Sequence, residues 1–208
     1  MTVSEIRSSI QSGAPGIIEI RKNSAVLLPL VETEEGLCVL FEKRTGTISH
    51  PGETCFPGGA VDKGEPPGQA VTREVFEELG LEEGTDYEVF GQFAYFPLIT
   101  GMCVNIFVGQ LEEGALGRIK ANPAEVAEWF TIPVDFMLAG ESMRYEYKLL
   151  QDIDPCDLKG YIGLPDDYQL PSGRVRMPVW KYNGHVLWGM TARMTRAFLD
   201  RYFKDQLL

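Results

Sequence analysis

The stretch from Gly59 to Leu81, GAVDKGEPPGQAVTREVFEELGL, constrains this chain more than any other. From Pro67 to Leu79 the residues favour helix, and Gly80 supplies a C-terminal stop. At about 100° per residue, Val71, Val75 and Leu79 form an apolar stripe, while Glu74, Glu77 and Glu78 occupy an adjacent arc. One side packs and the other is crowded with carboxylates. Like charges three and four residues apart disfavour an isolated helix by a few tenths of a kcal/mol per pair, so the cluster calls for solvent or cations. Hard cations such as Mg²⁺ take oxygen ligands and bridge carboxylates to substrate phosphates.

A Glu-Glu pair alone on a helix reads as a solvated face. The surrounding residues reverse that reading. Arg73 lies one turn before Glu77, and Glu65 lies eight residues before Arg73, at a turn containing Gly64 and Pro66. A carboxylate there can hold the guanidinium and through it orient the helix, a supporting role that metal sites require. Gly58 and Gly59 lack a Cβ, which lets the backbone come close to a ligand or ion.

With 208 residues, 44% of them hydrophobic, the chain can bury a full core as one domain. Asp and Glu number 30 against 19 Lys and Arg, a net charge of -11, which works against binding a nucleic-acid backbone. A polyanionic substrate therefore needs metal ions or a few placed arginines. The N-terminal MTVSEIRSSIQSG lacks the order of a signal peptide, and no apolar run approaches a membrane span. A soluble cytoplasmic protein with no membrane partner is the expectation. Cys38, Cys55, Cys103 and Cys156 form no C-x-x-C pair and read as reduced thiols in or near the core. His50 and His185 are too few and too far apart for a transition-metal site.

Along the chain, Val3, Ile6 and Ile10 predict a short helix before Gly13-Ala14-Pro15-Gly16. Ala25 to Val31 and Leu37 to Phe41 read as strands joined by a turn. Lys43 to Gly52 reads as a loop, followed by a short strand near Thr54 to Phe56. Tyr87 to Tyr95 and Val104 to Leu111 read as strands, and Leu111 to Asn122 as a loop. Glu128 to Ile132 looks extended, and Pro133 to Leu138 looks like a short helix with proline in its first turn. The alternation of Met143, Tyr145, Tyr147 and Leu149 marks a half-buried strand. Gln151 to Gly173 reads as a long loop. A final helix carries Met194, Phe198 and Leu199 on one stripe.

The central segment resembles the Nudix box, G-x5-E-x7-R-E-U-x-E-E-x-G-U with U aliphatic. Gly59, Glu65, Arg73, Glu74, Val75, Glu77, Glu78, Gly80 and Leu81 fill every defined position. The resemblance implies an α/β fold of the Nudix type, an α/β/α sandwich around a mixed central sheet. It implies one such domain over 1–208, with an extension at 1–22, a long loop at 151–173 and a C-terminal helix at 191–208. It also implies a hydrolase that cleaves nucleoside diphosphates linked to another moiety. Glu74, Glu77 and Glu78 would hold Mg²⁺ or Mn²⁺, with a backbone carbonyl near Gly58 as a further ligand. Glu77 is the favoured base, and Glu125 and Glu128 are candidates from later segments; Arg73 and Glu65 complete the catalytic set.

Upstream, Leu40 to Arg44 and His50 to Gly59 resemble the signature of the coenzyme A diphosphatase subfamily, in which Arg44, His50, Gly52, Phe56, Gly58 and Gly59 match. Asn122 to Val126 and Leu187 to Ala192 also resemble segments of it. Arg44, His50, Phe56, Gly58 and Gly59 are therefore the expected substrate-binding residues. The spacing from Arg44 to His50 is one residue shorter than the signature, Ile48 replaces its leucine, and Ser49 stands where its second arginine would be. A basic residue there would contact a phosphate of coenzyme A, so the departure bears on substrate choice. Phe56, Phe96, Tyr161 and Trp188 are candidates for lining a pantetheine groove, although aromatics at such positions more often belong to the core. Pro97 lies sixteen residues beyond the box and also resembles members that cleave ADP-ribose. A non-catalytic nucleotide-binding module is the rival from another class. Related enzymes form homodimers, which makes a homodimer an expectation here too.

Overall fold

The computed structural model describes residues 2–12, 16–46, 52–149, 161–163, 165 and 172–203. Two compact units share the chain. One comprises Met1–Leu30 and Phe56–Val126, the other Val31–Cys55 and Ala127–Leu208.

The first unit holds helix α1 (Val3–Ser12), most of strand β1 (Lys22–Thr33), β4 (Gly58–Ala60), helix α2 (Pro67–Leu79), β5 (Tyr87–Pro97) and β6 (Met102–Leu111). β1 pairs parallel with β6, from Lys22 opposite Met102 to Leu30 opposite Gln110. β4 lies antiparallel to β1 and β5 antiparallel to β6. The sheet is therefore mixed, and the fold is of the α/β class. A parallel β1–β6 pair needs a long crossover, and the crossover between them contains α2. The sheet buries Ala25, Leu27, Leu28, Ile106 and Val108, while α2 contributes Ala70, Val71, Val75 and Leu79 to the core. Burying each large aliphatic side chain stabilises by roughly 1.5–3 kcal/mol.

The second unit contains β2 (Gly36–Arg44), β3 (Thr54–Cys55), β7 (Val126–Pro133), helix α3 (Val134–Leu138), β8 (Met143–Leu149), β9 (Gly173–Tyr182), β10 (His185–Leu187) and helix α4 (Gly189–Tyr202). β2 pairs antiparallel with β3, and β7 pairs with β2. β10, β9 and β8 form a separate antiparallel sheet. Trp180, fully buried on β9, donates its indole N–H to the Met137 carbonyl at 3.2 Å.

Several expectations need correction. The loop over 111–122 contains a 3-10 turn at Ala115–Arg118, held by Arg118 on Asp86. β8 is half-buried only toward its end, where Tyr147 and Leu149 are partly covered, while Met143 and Tyr145 are exposed. Pro133 caps α3 from outside, and the helix begins at Val134. α4 begins at Gly189 and ends at Tyr202, against the expected 191–208, of which 204–208 lie outside the described residues. β9 and β10 lie in a stretch to which the sequence reading assigns no element. Their turn is Asn183-Gly184, both with positive φ (48° and 86°), the combination that a two-residue hairpin turn selects. Most of the 151–173 loop, including Cys156, lies outside the described residues, as does His50. Cys38 and Cys103 are buried free thiols, and burial raises both above the ordinary thiol pKa. Among the described residues, no helix is long and apolar enough to cross a membrane.

Candidate active site

Two prolines open α2 and a glycine closes it. Pro66 takes the cap position with φ -65° and ψ 139°, and Pro67 sits in the first turn, where its missing N–H costs nothing. Gly80 adopts φ 67° and donates its N–H to the Phe76 carbonyl at 2.9 Å. Beyond it, Lys120 N–H reaches Leu79 O and Asn122 N–H reaches Glu78 O, both at 2.8 Å, which satisfies carbonyls left over at the helix end. The same contacts dock the Asn122–Val126 turn against the acidic end of the helix.

Arg73 organises the middle of α2. Its Nε donates to Glu65 Oε1 at 3.0 Å and its Nη2 to Glu65 Oε2 at 3.1 Å, a paired fork that fixes the guanidinium plane. Nη2 also donates to the Ala60 carbonyl at 3.0 Å, and Nη1 donates to Glu74 Oε1 at 2.8 Å and Glu77 Oε2 at 3.0 Å. One side chain thus ties the turn before the helix, strand β4 and two helix carboxylates together. The guanidinium holds the Glu65 carboxyl below the usual glutamate range, helped by the Asp62 backbone N–H. Those carboxylates, Glu65 first, in turn hold Arg73 charged.

The three helix carboxylates differ in surroundings. The Glu77 side chain is 49% exposed and the Glu74 side chain 12%. Glu78 is 3% exposed, and its Oε2 accepts the Gly58 N–H at 2.7 Å. Glu78 therefore lies on the packed flank, not on the open arc that periodicity assigns it. Glu74 rests over Gly59: a Cβ built there would meet the Glu74 carboxylate oxygens at 2.5 and 2.6 Å. Burial, above all, raises the Glu74 pKa; Arg73 opposes the shift, and the charges of Glu77 and Glu125 add to it. Gly58 has φ 143°, and a Cβ there would strike the Ala25 carbonyl and lie 2.6 Å from Val26 Cα, so only glycine fits.

The first unit thus brings together Glu65, Arg73, Glu74, Glu77, Glu78, Gly58 and Gly59, with Glu125 close enough to act on Glu74. The Phe56 side chain is 2% exposed, so its ring packs in the core and is not placed to touch a ligand. Arg44 ends β2 in the second unit, where its backbone exchanges hydrogen bonds with Gly52 and Glu53. Glu128, in the same unit, is engaged by Lys43 at 2.9 Å and His185 at 3.7 Å. Trp188 and Tyr161 are exposed, against the expectation that such aromatics belong to the core. Nothing in the motif marks Ala60, whose contribution is a backbone carbonyl, or Asn122, whose amide shapes the turn by accepting the Ala124 N–H at 3.1 Å. An Asn-Pro pair is, however, a turn signal.

The donor set is all carboxylate oxygen and suits a hard divalent cation. Among the described residues, no three His, Cys, Asp or Glu side chains converge to hold a metal ion, and Arg73 Nη1 is bonded to both Glu74 and Glu77. The Glu77 contact is an exposed pair of the i,i+4 kind, typically worth about 0.3–0.5 kcal/mol. It is cheap to exchange, and a cation would offset the burial of the Glu74 carboxylate first and its repulsion by Glu77 and Glu125 second. Holding Mg²⁺ or Mn²⁺ with these residues would require Glu74 and Glu77 to turn from the guanidinium.

Comparison with known proteins points the same way. The NUDIX domain pattern matches residues 21–152. Nudix hydrolase 3 of Caenorhabditis elegans is 34% identical, over 79% of this chain and 71% of that protein. A second C. elegans protein, peroxisomal coenzyme A diphosphatase ndx-8, is 32% identical over 58% of this chain and 53% of its own length. Among solved structures, a MutT/nudix family protein from Enterococcus faecalis aligns over 98% of this chain and 70% of its own, with a TM-score of 0.50 at 16% identity. That last likeness concerns the fold alone.

Proposed function

The chain belongs to the NUDIX domain family and is a Nudix hydrolase, and from that premise we propose that it hydrolyses the diphosphate of coenzyme A or an acyl-coenzyme A. Water attack would give adenosine 3′,5′-bisphosphate and 4′-phosphopantetheine, acylated or free. The observation that carries the reading is the placement of Glu74 and Glu78 over the Gly58–Gly59 backbone, with Glu77 joined to Glu74 through Arg73, itself fixed by Glu65. The preference for coenzyme A rests on the signature residues Arg44, His50, Gly52 and Phe56 to Gly59, and on similarity to a protein named a coenzyme A diphosphatase.

In this reading Glu74, Glu77 and Glu78 hold Mg²⁺ or Mn²⁺, which when bound supplies neutralisation of the diphosphate and activation of water. Glu77, the most exposed of the three, takes the proton from the attacking water; Glu125 is the alternative base, docked nearby by the Asn122 turn. Arg73 touches no reacting atom and acts as a positioning residue. Glu78 and Gly58 lock β4 against α2, so the backbone that faces the diphosphate stays in register with the carboxylates.

The test is to incubate the protein with coenzyme A, acetyl-coenzyme A, ADP-ribose, NADH and nucleoside triphosphates, with Mg²⁺ or Mn²⁺, and to identify products by mass. Metal-dependent release of 4′-phosphopantetheine, faster than any ADP-ribose cleavage, is expected. Equal or faster cleavage of ADP-ribose would remove the proposed substrate, and failure to turn over any diphosphate would favour a nucleotide-binding role.

A further inference from the structure

The first unit contains a cavity of about 330 Å³, lined by Ile17, Ile20, Asn23, Tyr95, Cys103 and Asn105 among others. Its volume falls in the range of about 300–1,000 Å³ usual for small-molecule sites. Its position follows from strand register. Asn23 pairs with Cys103, and Ala25 with Asn105, across the parallel β1–β6 ladder, which puts Asn23, Cys103 and Asn105 on one face of the sheet. Phe107, two residues beyond Asn105, shares that face and lies 3.6 Å from where a Gly68 Cβ would stand at the start of α2. The cavity and α2 are therefore on the same side. Asn23 is also next to Ser24, which pairs with Ala60, whose carbonyl Arg73 holds.

A β-bulge completes the wall. Gln92 opposes Phe107 and Ala94 opposes Ile106, leaving Phe93 as an extra residue. Without it Gln92 and Tyr95, three apart, would point to opposite faces. With it both fall on the Asn105 face, since Tyr95 opposes Asn105 directly.

Asn105 is 3% exposed and its amide orientation is set by a backbone group. Its Nδ2 donates to the Ser24 carbonyl at 2.9 Å, and a carbonyl can only accept. The same Nδ2 donates to Asn23 Oδ1 at 2.7 Å, while Asn105 Oδ1 accepts from Gln92 Nε2 at 3.1 Å. Asn23 is thereby held with its own NH₂ turned away from Asn105, as a donor of fixed direction in a cavity of mixed polar and apolar lining. Tyr95 adds a 60% exposed ring. A flat heteroaromatic group with an acceptor nitrogen matches this combination: its face covers the tyrosine or isoleucine surface, and its nitrogen takes the amide proton.

We propose that this cavity is the nucleobase subsite of the enzyme, with Asn23 and Tyr95 contacting the adenine half of the substrate and Asn105 and Gln92 acting as positioning residues. The inference rests on the diphosphatase reading, and it assigns the pantetheine half elsewhere. It is tested by titrating adenosine 3′,5′-bisphosphate and 4′-phosphopantetheine separately, by calorimetry, into the wild type, Asn23→Ala, Tyr95→Ala and Asn105→Leu. The first two variants change exposed side chains and leave folding intact even if Asn105→Leu does not fold. Each is expected to weaken adenosine 3′,5′-bisphosphate about tenfold or more and to leave 4′-phosphopantetheine unchanged. In turnover, Asn23→Ala is expected to raise KM with little change in kcat. Unchanged nucleotide affinity in both surface variants, loss confined to 4′-phosphopantetheine, or no nucleotide binding by the wild type would overturn the subsite. Wild-type nucleotide binding that these variants weaken, without hydrolysis of any diphosphate, would instead overturn the diphosphatase reading and leave the subsite standing.

Discussion

Two neighbouring glycines carry separable roles. The atoms nearest a methyl group at Gly59 belong to the Glu74 carboxylate, a side-chain end and not backbone, so Gly59→Ala is expected to displace that carboxylate and leave the fold intact. Turnover is expected to fall by about 10–100-fold, the usual cost of disturbing a ligand's support, with a near-unchanged melting temperature. At Gly58 the same methyl meets fixed backbone of β1 in a conformation disfavoured for other residues, and Gly58→Ala is expected to lower the melting temperature markedly. Comparing the two melting curves and rates checks both statements. Glu78→Gln keeps an oxygen for the Gly58 N–H but removes the charge, so activity should drop by orders of magnitude in a folded protein. Normal activity in that variant would discredit its place among the metal ligands.

At the scale of elements, Arg73 is the joint between turn, strand and helix, and its planar fork on Glu65 has no lysine equivalent. Arg73→Lys is expected to reduce kcat by about 10–100-fold while circular dichroism shows α2 retained. A second joint links the α2–β5 connection to the 3-10 turn: Asp86 accepts the Glu82 N–H at 2.9 Å and the Arg118 guanidinium. These bonds hold the Asp86 carboxyl below its ordinary pKa. Its stabilisation is thus fully present above about pH 3.9, the unfolded value, and is lost as pH falls through the lower folded value. The melting-temperature gap between wild type and Asp86→Asn should be open at about pH 7 and narrow as pH falls below about 3.9. A gap independent of pH would contradict this origin.

For the molecule as a whole, α2 was legible residue for residue, because Pro67 and Gly80 punctuate it and its apolar stripe has helical period. The β9–β10 hairpin was not read, although Asn183-Gly184 announces it, because no strongly apolar run flanks the turn. Other features depend on contacts distant in sequence and lie beyond periodicity. Which edge of the carboxylate arc would be buried depends on where β4 supplies the Gly58 N–H. The grouping of Asn23, Gln92, Tyr95 and Asn105 depends on a parallel ladder and a bulge. With a net charge of -11, the molecule repels a polyanion at long range, so holding a diphosphate calls for cation recruitment. The direct measurement is Mn²⁺ titration followed by electron paramagnetic resonance, on the wild type and on Glu74→Gln/Glu78→Gln, without substrate. The wild type is expected to bind Mn²⁺ with Mg²⁺ competing and the double variant to lose that binding; equal Mn²⁺ binding by both, or none by the wild type, would contradict the claim that these glutamates hold the metal.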